Sequence, residues 1–575
     1  MTLKVPSRYL AGAIAVFGNL VLGVTVKAMT LSSLMSLDLE AAPADPLAQV
    51  DPNQNRFPPS ELPPTPVNED STPPLTTPLE LPDADSETEF RVTDIQVVGS
   101  TLFDNATLAA IVAPYENQDA TLNDLQQAAN AITQLYLADG YITSRAVIEP
   151  QTLVDGIVQI QVIEGELEAI DIEGTDTLQA YIRNRVALGG IRPLNQARLE
   201  DQLRLLRLDP LFATVEASLR AGSGVGKSRL IVRVSEAEPF SGSIFSDSYS
   251  PPAVGNVRVG ARLEYRNLAG LGDTLFGSAT WTTTAGSKVY ELGYRVPVNP
   301  MNGTITARLT PNNFRITDRD QPTFALDTEG STDIYEITFR QPLRRTPREE
   351  LALSVGYRYR DGSTLISGVI TDDTTIHAFN VGQDYIRRGA QGAWALQSQF
   401  RFGEELTNAT VLSSSGRQDF FSWVGQLQRV QRLNADHLLL FQSSIQLSPS
   451  TLPGSEQFFV GGGLSVRGYD PNQRFGDSGI RFSLEDQIVI TRDDNGLPFF
   501  QIAPFLDGGY VWLTDMANQT TDNNFLLGIG MGLLFNMGED FNARADLAYP
   551  LMDIAELSTD DPRGLQFSFS LGYQF

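Results

Sequence analysis

The chain has 575 residues, a formal net charge of −27, no Cys and only two His, His377 and His437. That length exceeds one ordinary domain. The missing thiols exclude disulfides and thiolate metal sites, two distant His argue against a His-based metal centre or a Ser-His-Asp triad, and the acidic balance argues against nucleic acid as a partner.

At the N-terminus, Lys4 and Arg8 precede an apolar run over 9–26, and Val26-Lys27-Ala28 closes it with small or apolar groups where a signal peptidase reads. This pattern predicts a signal peptide over 1–28. The competing reading is a membrane-anchor helix. Against it, the run is near the lower length limit for spanning and is broken by Gly12, Gly18, Asn19 and Gly23. Residues 29–88 read as a disordered, acidic Pro-rich linker, with a short helix over 29–42 as the one element it could hold. Twelve prolines between Pro43 and Pro82 forbid a helix or a sheet ladder there, and between 41 and 90 ten acidic residues face one basic residue, Arg56. Nothing later offers ~18 uninterrupted apolar residues, so a membrane-embedded mature chain must cross as a barrel.

Residues 89–166 and 167–239 read as two similar α/β units. In the first, Val92, Ile95, Val97 and Val98 predict a strand ending at Gly99. Leu122, Leu125, Ala128, Ala129, Ile132, Leu135 and Tyr136 recur at helical steps, and Gly140 stops that helix. Strands follow over 144–148 and 157–163, the second with Val158, Ile160 and Val162 on one face and Gln159 and Gln161 on the other. The second unit repeats the order: a strand over 167–172, helices over 178–187 and 195–208, strands over 214–220 and 228–235. Between those last strands lies Gly222-Ser223-Gly224-Val225-Gly226-Lys227-Ser228. It lacks the first glycine of a phosphate-binding loop and leads into a strand, so it reads as a turn.

From about 240 to 575 the pattern changes, and long stretches alternate strictly with a period of two. Val259, Ala261, Leu263 and Tyr265 alternate with Arg258, Gly260, Arg262 and Glu264. Leu351, Leu353, Val355 and Tyr357 alternate with Ala352, Ser354, Gly356 and Arg358. Phe541, Ala543, Ala545, Leu547 and Tyr549 alternate with Asn542, Arg544, Asp546 and Ala548. One face is apolar and aromatic and the other is rich in Arg, which predicts an outer-membrane barrel with lipid outside and water inside. Strands near ten residues, at roughly 20 residues per strand with its turn, give about sixteen. A soluble sandwich is the alternative. The last segment, Leu565, Phe567, Phe569, Leu571, Tyr573 and Phe575, resembles an outer-membrane assembly signal, with Tyr573 and Phe575 as its aromatic positions.

Several motifs then resemble one family. Gly140-Tyr141-Ile142-Thr143-Ser144-Arg145, Pro150-Gln151, Gly156 and Val162-Ile163-Glu164-Gly165 resemble a first POTRA module. Gly461-Gly462 followed by Val466-Arg467-Gly468-Tyr469, and Phe505-Leu506-Asp507-Gly508-Gly509, resemble the loop and strand motifs of the two-partner secretion transporters. These form the hemolysin secretion/activation family of the Omp85 superfamily. The resemblance implies two periplasmic POTRA domains, a sixteen-stranded transmembrane β-barrel in the outer membrane, and a loop folded into the pore where Arg467 pairs with Asp507. Val466, Gly468 and Tyr469 would accompany Arg467, and Phe505 and Gly509 would accompany Asp507. A plug helix, which family members often place in the pore, could come here only from 29–42.

The implied partner is an unfolded secreted exoprotein, recognised in the periplasm and passed through the barrel. Outer-membrane lipid, lipopolysaccharide and the barrel-assembly machinery are further expected partners. No cofactor, metal or catalytic residue is expected. Asp493-Asp494 and Asp560-Asp561 sit in turn-like segments and read as solvated turns. The alternative function is an assembly factor that inserts other barrels.

Overall fold

A computed structural model describes residues 88–575, apart from 321, 412–413, 516–523, 539 and 553–563. The expected signal peptide, nearly all of the linker with its short helix, and the Asp560-Asp561 turn lie outside the described residues.

The first unit is a three-stranded sheet under two helices. Strand β2 (Asp94–Val98) runs parallel to β5 (Ile157–Ile163), and β4 (Arg145–Val147) runs antiparallel to β5 on its other side. A small ribbon pairs β1 (Phe90–Val92) with β3 (Gln118–Ala120). Helix α2 (Leu122–Ala138) has the predicted apolar stripe, with Leu125, Ala128, Ala129, Ile132 and Tyr136 buried against Val158, Ile160 and Val162. Thr121 and Asp124 close a reciprocal capping box at its start. Helix α1 (Asn105–Val112), capped by Asp104, has no counterpart among the predicted elements. It buries only Leu108 and Val112, too few for a sequence stripe.

The second unit holds β6 (Glu166–Glu173), α3 (Gln179–Val186), α4 (Gln196–Arg207), β7 (Phe212–Ala221) and β8 (Lys227–Glu236), in sheet order β6-β8-β7. Its core is Leu178, Ile182, Val186, Leu199, Leu230 and Val232. The Gly222–Ser228 segment is the turn between antiparallel β7 and β8, as its sequence predicts. Glu168 fastens it by accepting from Ser223 N at 2.8 Å and Ser223 Oγ at 2.7 Å.

The two units meet through the POTRA-like motif itself. Gly165 N donates to Ser144 Oγ at 2.9 Å, and a Cβ on Gly165 would lie 1.9 Å from Thr143 Oγ1. Gly165 O accepts from Leu194 N and Gly140 O from Gln196 N, both across the joint. Buried Glu164 accepts from Thr101 N at 2.7 Å and Thr101 Oγ1 at 2.6 Å, and lies 2.9 Å from the Tyr136 hydroxyl. Burial pushes that phenol up to about 12. The Pro150-Gln151 step has a separate task. Gln151 accepts from Gln159 N and donates to Gln159 O, both at 2.8 Å, so its amide pairs the sheet backbone beyond the end of β4.

Sixteen antiparallel strands then close a barrel, in agreement with the predicted number. They are β9 (Phe240–Asp247), β10 (Arg258–Arg266), β11 (Thr274–Thr282), β12 (Ser287–Pro297), β13 (Thr304–Arg315), β14 (Thr328–Arg345), β15 (Glu349–Ile366), β16 (Val369–Gly389), β17 (Gly392–Thr407), β18 (Gly416–Arg432), β19 (His437–Leu447), β22 (Ser478–Arg492), β23 (Pro498–Trp512), β24 (Phe525–Met537), β25 (Phe541–Pro550) and β26 (Gln566–Gln574). Two short strands, β20 (Phe458–Val460) and β21 (Arg474–Gly476), lie between β19 and β22 and are not part of the wall.

β26 pairs with β9 and removes both edges, and Phe575 and Gly242 exchange backbone hydrogen bonds at 2.9 Å. Tyr573 and Phe575 stand exposed beside that seam. Strand length departs from expectation. β14 to β18 run 16 to 21 residues, well beyond the ~10 that cross a hydrocarbon core. The alternation predicted for β10, β15, β25 and β26 holds: Leu263, Val355, Leu547 and Phe567 are exposed, while Asp546 beside them is buried. Asp493, in a turn, accepts from Asn495 N and Leu497 N as a turn carboxylate does.

Candidate functional site

Residues 448–477 leave the wall after β19 and return to it at β22, and their middle is buried. The segment is a hairpin: β20 and β21 pair over Phe458–Gly476, and Asp477 ties its neck. Asp477 accepts from Leu452 N and Thr514 N, both at 2.8 Å, and is wholly buried. Gly461, Gly462 and Gly468 have φ of 116°, 89° and 98°, a backbone that L side chains rarely adopt. The tip turns through them and presents Val466–Tyr469.

Arg467 reaches the wall with every arm of its guanidinium. Nε donates to Asp507 Oδ2 at 2.6 Å and Nη2 to Asp507 Oδ1 at 2.9 Å, a bidentate pair, and the Arg467 backbone N adds a third bond to Asp507 at 3.1 Å. Nη1 donates to Glu485 Oε2 at 2.8 Å and Nη2 to Ser483 Oγ at 3.2 Å. The guanidinium carbon also stacks 3.3 Å above the Phe505 ring. Arg467 is 7% exposed and Asp507 fully buried. Arg544 completes the cluster, donating to Glu485 at 2.6 and 2.9 Å and to Asp546 at 2.8 Å. Two cations are therefore set among three carboxylates; Arg467 and the three carboxylates are buried, and Arg544 keeps 22% of its side chain exposed.

The neighbouring motif residues make this approach possible. Val466 packs in an apolar cluster with Phe458, Val460, Tyr469, Val511 and Leu526. A Cβ on Gly509 would meet Val460 and Val466 at 2.9 and 3.1 Å, so that position stays small. A Cβ on Gly528 would lie 2.0 Å from Arg467 O, and one on Gly468 3.1 Å from Pro550 N. The Tyr469 hydroxyl donates to Leu527 O at 2.9 Å and accepts from Met552 N at 3.1 Å. Phe505, Asp507 and Gly509 share the inner face of β23 because they are two apart.

Of the predicted loop residues, Arg467 thus meets Asp507 and Phe505 and Val466 packs beside Gly509, while Gly468 and Tyr469 contact residues of β24, β25 and the segment after β25. Tyr573 and Phe575 lie elsewhere, at the β9–β26 seam. Ser483, Glu485, Arg544 and Asp546 were not singled out in the sequence. Their signal was present, since Ser483 and Glu485 alternate inward along β22 and Arg544 and Asp546 along β25. Beside the cluster the lumen keeps a cavity of about 560 Å³, lined by Gln397, Gln428, Ser443, Arg481, Gln487 and Arg544.

Comparisons with known proteins bear on the family and the fold. A family model described as haemolysin secretion/activation protein ShlB/FhaC/HecB matches residues 226–535, and one described as a ShlB-type POTRA domain matches 90–165. The outer membrane transporter CdiB of Escherichia coli is 26% identical over 488 residues, covering 80% of this chain and 79% of that protein. The heme/hemopexin transporter protein HuxB of Haemophilus influenzae strain 86-028NP is 22% identical, over 81% of this chain and 84% of that protein. The solved structure of CdiB from Escherichia coli superposes with a TM-score of 0.65 at 22% identity, covering 88% of this chain and 94% of that one.

Proposed function

Because the chain belongs to the haemolysin secretion/activation family, we propose that the hairpin 448–477 is the element its pore must move to pass cargo, and that Arg467 and Asp507 hold it in the resting position. The protein is an outer-membrane transporter of two-partner secretion, with its N-terminal units in the periplasm. Its cargo is a secreted exoprotein. The family is one of transporters, and no chemical step is assigned to this chain.

The observation that carries the reading is the bidentate Arg467–Asp507 pair at 2.6 and 2.9 Å. Ordering thirty residues inside a wide lumen costs chain entropy. A charge-assisted fork between buried partners can offset that cost and fix one geometry. Removing one partner leaves the other charge buried and alone, which costs ~3–5 kcal/mol. The cargo arrives unfolded at the periplasmic units and pairs through its backbone with a sheet edge there, a mode that demands little of its sequence. It then threads the polar lumen, and folding on the far side biases the direction.

Lipid and lipopolysaccharide against the outward rows, and the barrel-assembly machinery during insertion, complete the partners we assign. The exposed Val355, Phe379, Leu547 and Phe567 support the lipid contact. Secretion of the cognate exoprotein by cells carrying Arg467→Ala tests the reading. We expect normal amounts of inserted barrel and sharply reduced secretion. Unchanged secretion would remove the anchoring role.

A further inference from the structure

The same hairpin has a second charged contact, on a separate stretch of the barrel wall. Glu456 lies in the short turn before β20 and is 1% exposed. Its Oε2 accepts from Arg401 Nη1 at 2.6 Å, and its Oε1 lies 3.6 Å from Arg358 Nη1. Arg401 is on β17 and is held in place by Asn380 at 3.0 Å and Gln399 at 2.9 Å. Arg358 is on β15, 3.6 Å from Glu336 of β14. The Arg467 cluster instead uses β22, β23 and β25. In the ring order the hydrogen-bonded partners, β17 for Glu456 and β22 and β23 for Arg467, are three and four strands apart out of sixteen, so the two contacts reach separate stretches of the wall.

We propose that Glu456 is a second, independent latch, and that the hairpin is a strut fixed at both ends rather than a flap fixed at its tip. This rests on the reading that the hairpin closes the pore. Its physical basis is the buried Arg401–Glu456 ion pair. Arg358 and Arg401 face Glu336 and Glu456, with Arg401 and Glu456 removed from water. Withdrawing Glu456 takes from the buried Arg401 the carboxylate its guanidinium is hydrogen-bonded to, a loss that opposes release. Freeing Arg467 alone leaves the base of the hairpin tied to β17, so cargo must displace both contacts to gain the full bore. Glu456 is a positioning residue: it sets where the hairpin sits.

Single-channel recording of the purified full-length protein in planar bilayers tests this. The variants are Glu456→Gln, Glu456→Arg, the exchange Glu456→Arg with Arg401→Glu, and Asp507→Asn, each first checked for a heat-modifiable folded barrel. Loss of a charge-assisted hydrogen bond is expected to raise the time spent in high-conductance states about tenfold in Glu456→Gln. The exchange should return the channel toward its quiet state, which a merely structural role for Glu456 would not produce. If Asp507→Asn opens the channel and Glu456→Gln does not, the second latch is overturned and the pore-closing role of the hairpin stands. If Glu456→Arg opens the channel and the added Arg401→Glu gives no return, Arg401 is not the partner and the proposal fails. If neither Asp507→Asn nor Glu456→Gln alters conductance in folded barrels, the hairpin does not close the pore, and both ideas fall.

Discussion

The periplasmic units and the barrel use the same two-residue alternation in opposite senses. In β5 the apolar set Val158, Ile160 and Val162 is buried to 1, 0 and 2% exposure, and the Gln set faces out. In β15 and β26 the apolar set faces out, with Val355 at 55% and Phe567 at 59%. On other wall strands the charged set faces in: Arg401 of β17, Asp507 of β23 and Asp546 of β25 are each at most 2% exposed. The pleat is identical, and what differs is the solvent on each side. Water around the first unit drives its apolar face onto the helices. Lipid around the barrel removes that drive and makes the polar face the one that needs partners, which the ion pairs of the lumen supply.

The sharpest way to break this comparison is to truncate matching residues in the two regions. Ile160→Ala should destabilise the first unit by about 2–5 kcal/mol, because the closed core cannot fill the space. Leu353→Ala on the outer face of β15 should cost clearly less, because lipid chains flow into the gap. Equal losses in urea unfolding of the two variants would deny that the two faces meet different media. Next in size, Val355→Arg should destabilise the barrel by about 2–4 kcal/mol, the cost of a cation on a lipid face near mid-membrane. Refolding into lipid vesicles measures it, and a neutral result would place Val355 in water.

A smaller effect probes the buried polar group of the first unit. Tyr136→Phe removes a hydroxyl beside the Glu164 carboxylate and should cost about 2 kcal/mol. It should also change the alkaline limb. The free phenol titrates at 10 and the native one at about 12. Folding therefore favours the protonated form, so this contribution is whole below pH 10 and is lost as pH rises from 10 to about 12. Hydrogen exchange in the first unit should show that loss in the unaltered chain and not in Tyr136→Phe. The smallest effect is local. Thr121→Ala opens the capping box of α2 and should cost about 1 kcal/mol, read as faster exchange in the first turn.

The fold was legible in the sequence where one periodicity ran unbroken. α2, β5, both helices of the second unit and the alternating barrel strands follow directly from apolar spacing. α1 was not legible, because eight residues with two buried positions give no stripe. The extra length of β14 to β18 was also hidden, because polar stretches such as 371–375 follow no lipid-facing alternation. At the site, Arg467 and Asp507 were legible only through resemblance, since their partnership spans 40 residues. Glu456 and Arg401, 55 residues apart, show no local pattern at all. A long-range ion pair in a lumen leaves no periodic trace, and only the folded ring brings its members together.

Single cysteines placed in turn at 353, 354, 355 and 356 of β15 test the inside-out barrel most directly, since the chain has no Cys of its own to interfere. With the protein in lipid vesicles, positions 354 and 356 should react with a water-soluble maleimide, and positions 353 and 355 should resist it while a fluorophore there is quenched by brominated lipid. Uniform reactivity along the strand, or the opposite alternation, would contradict the account.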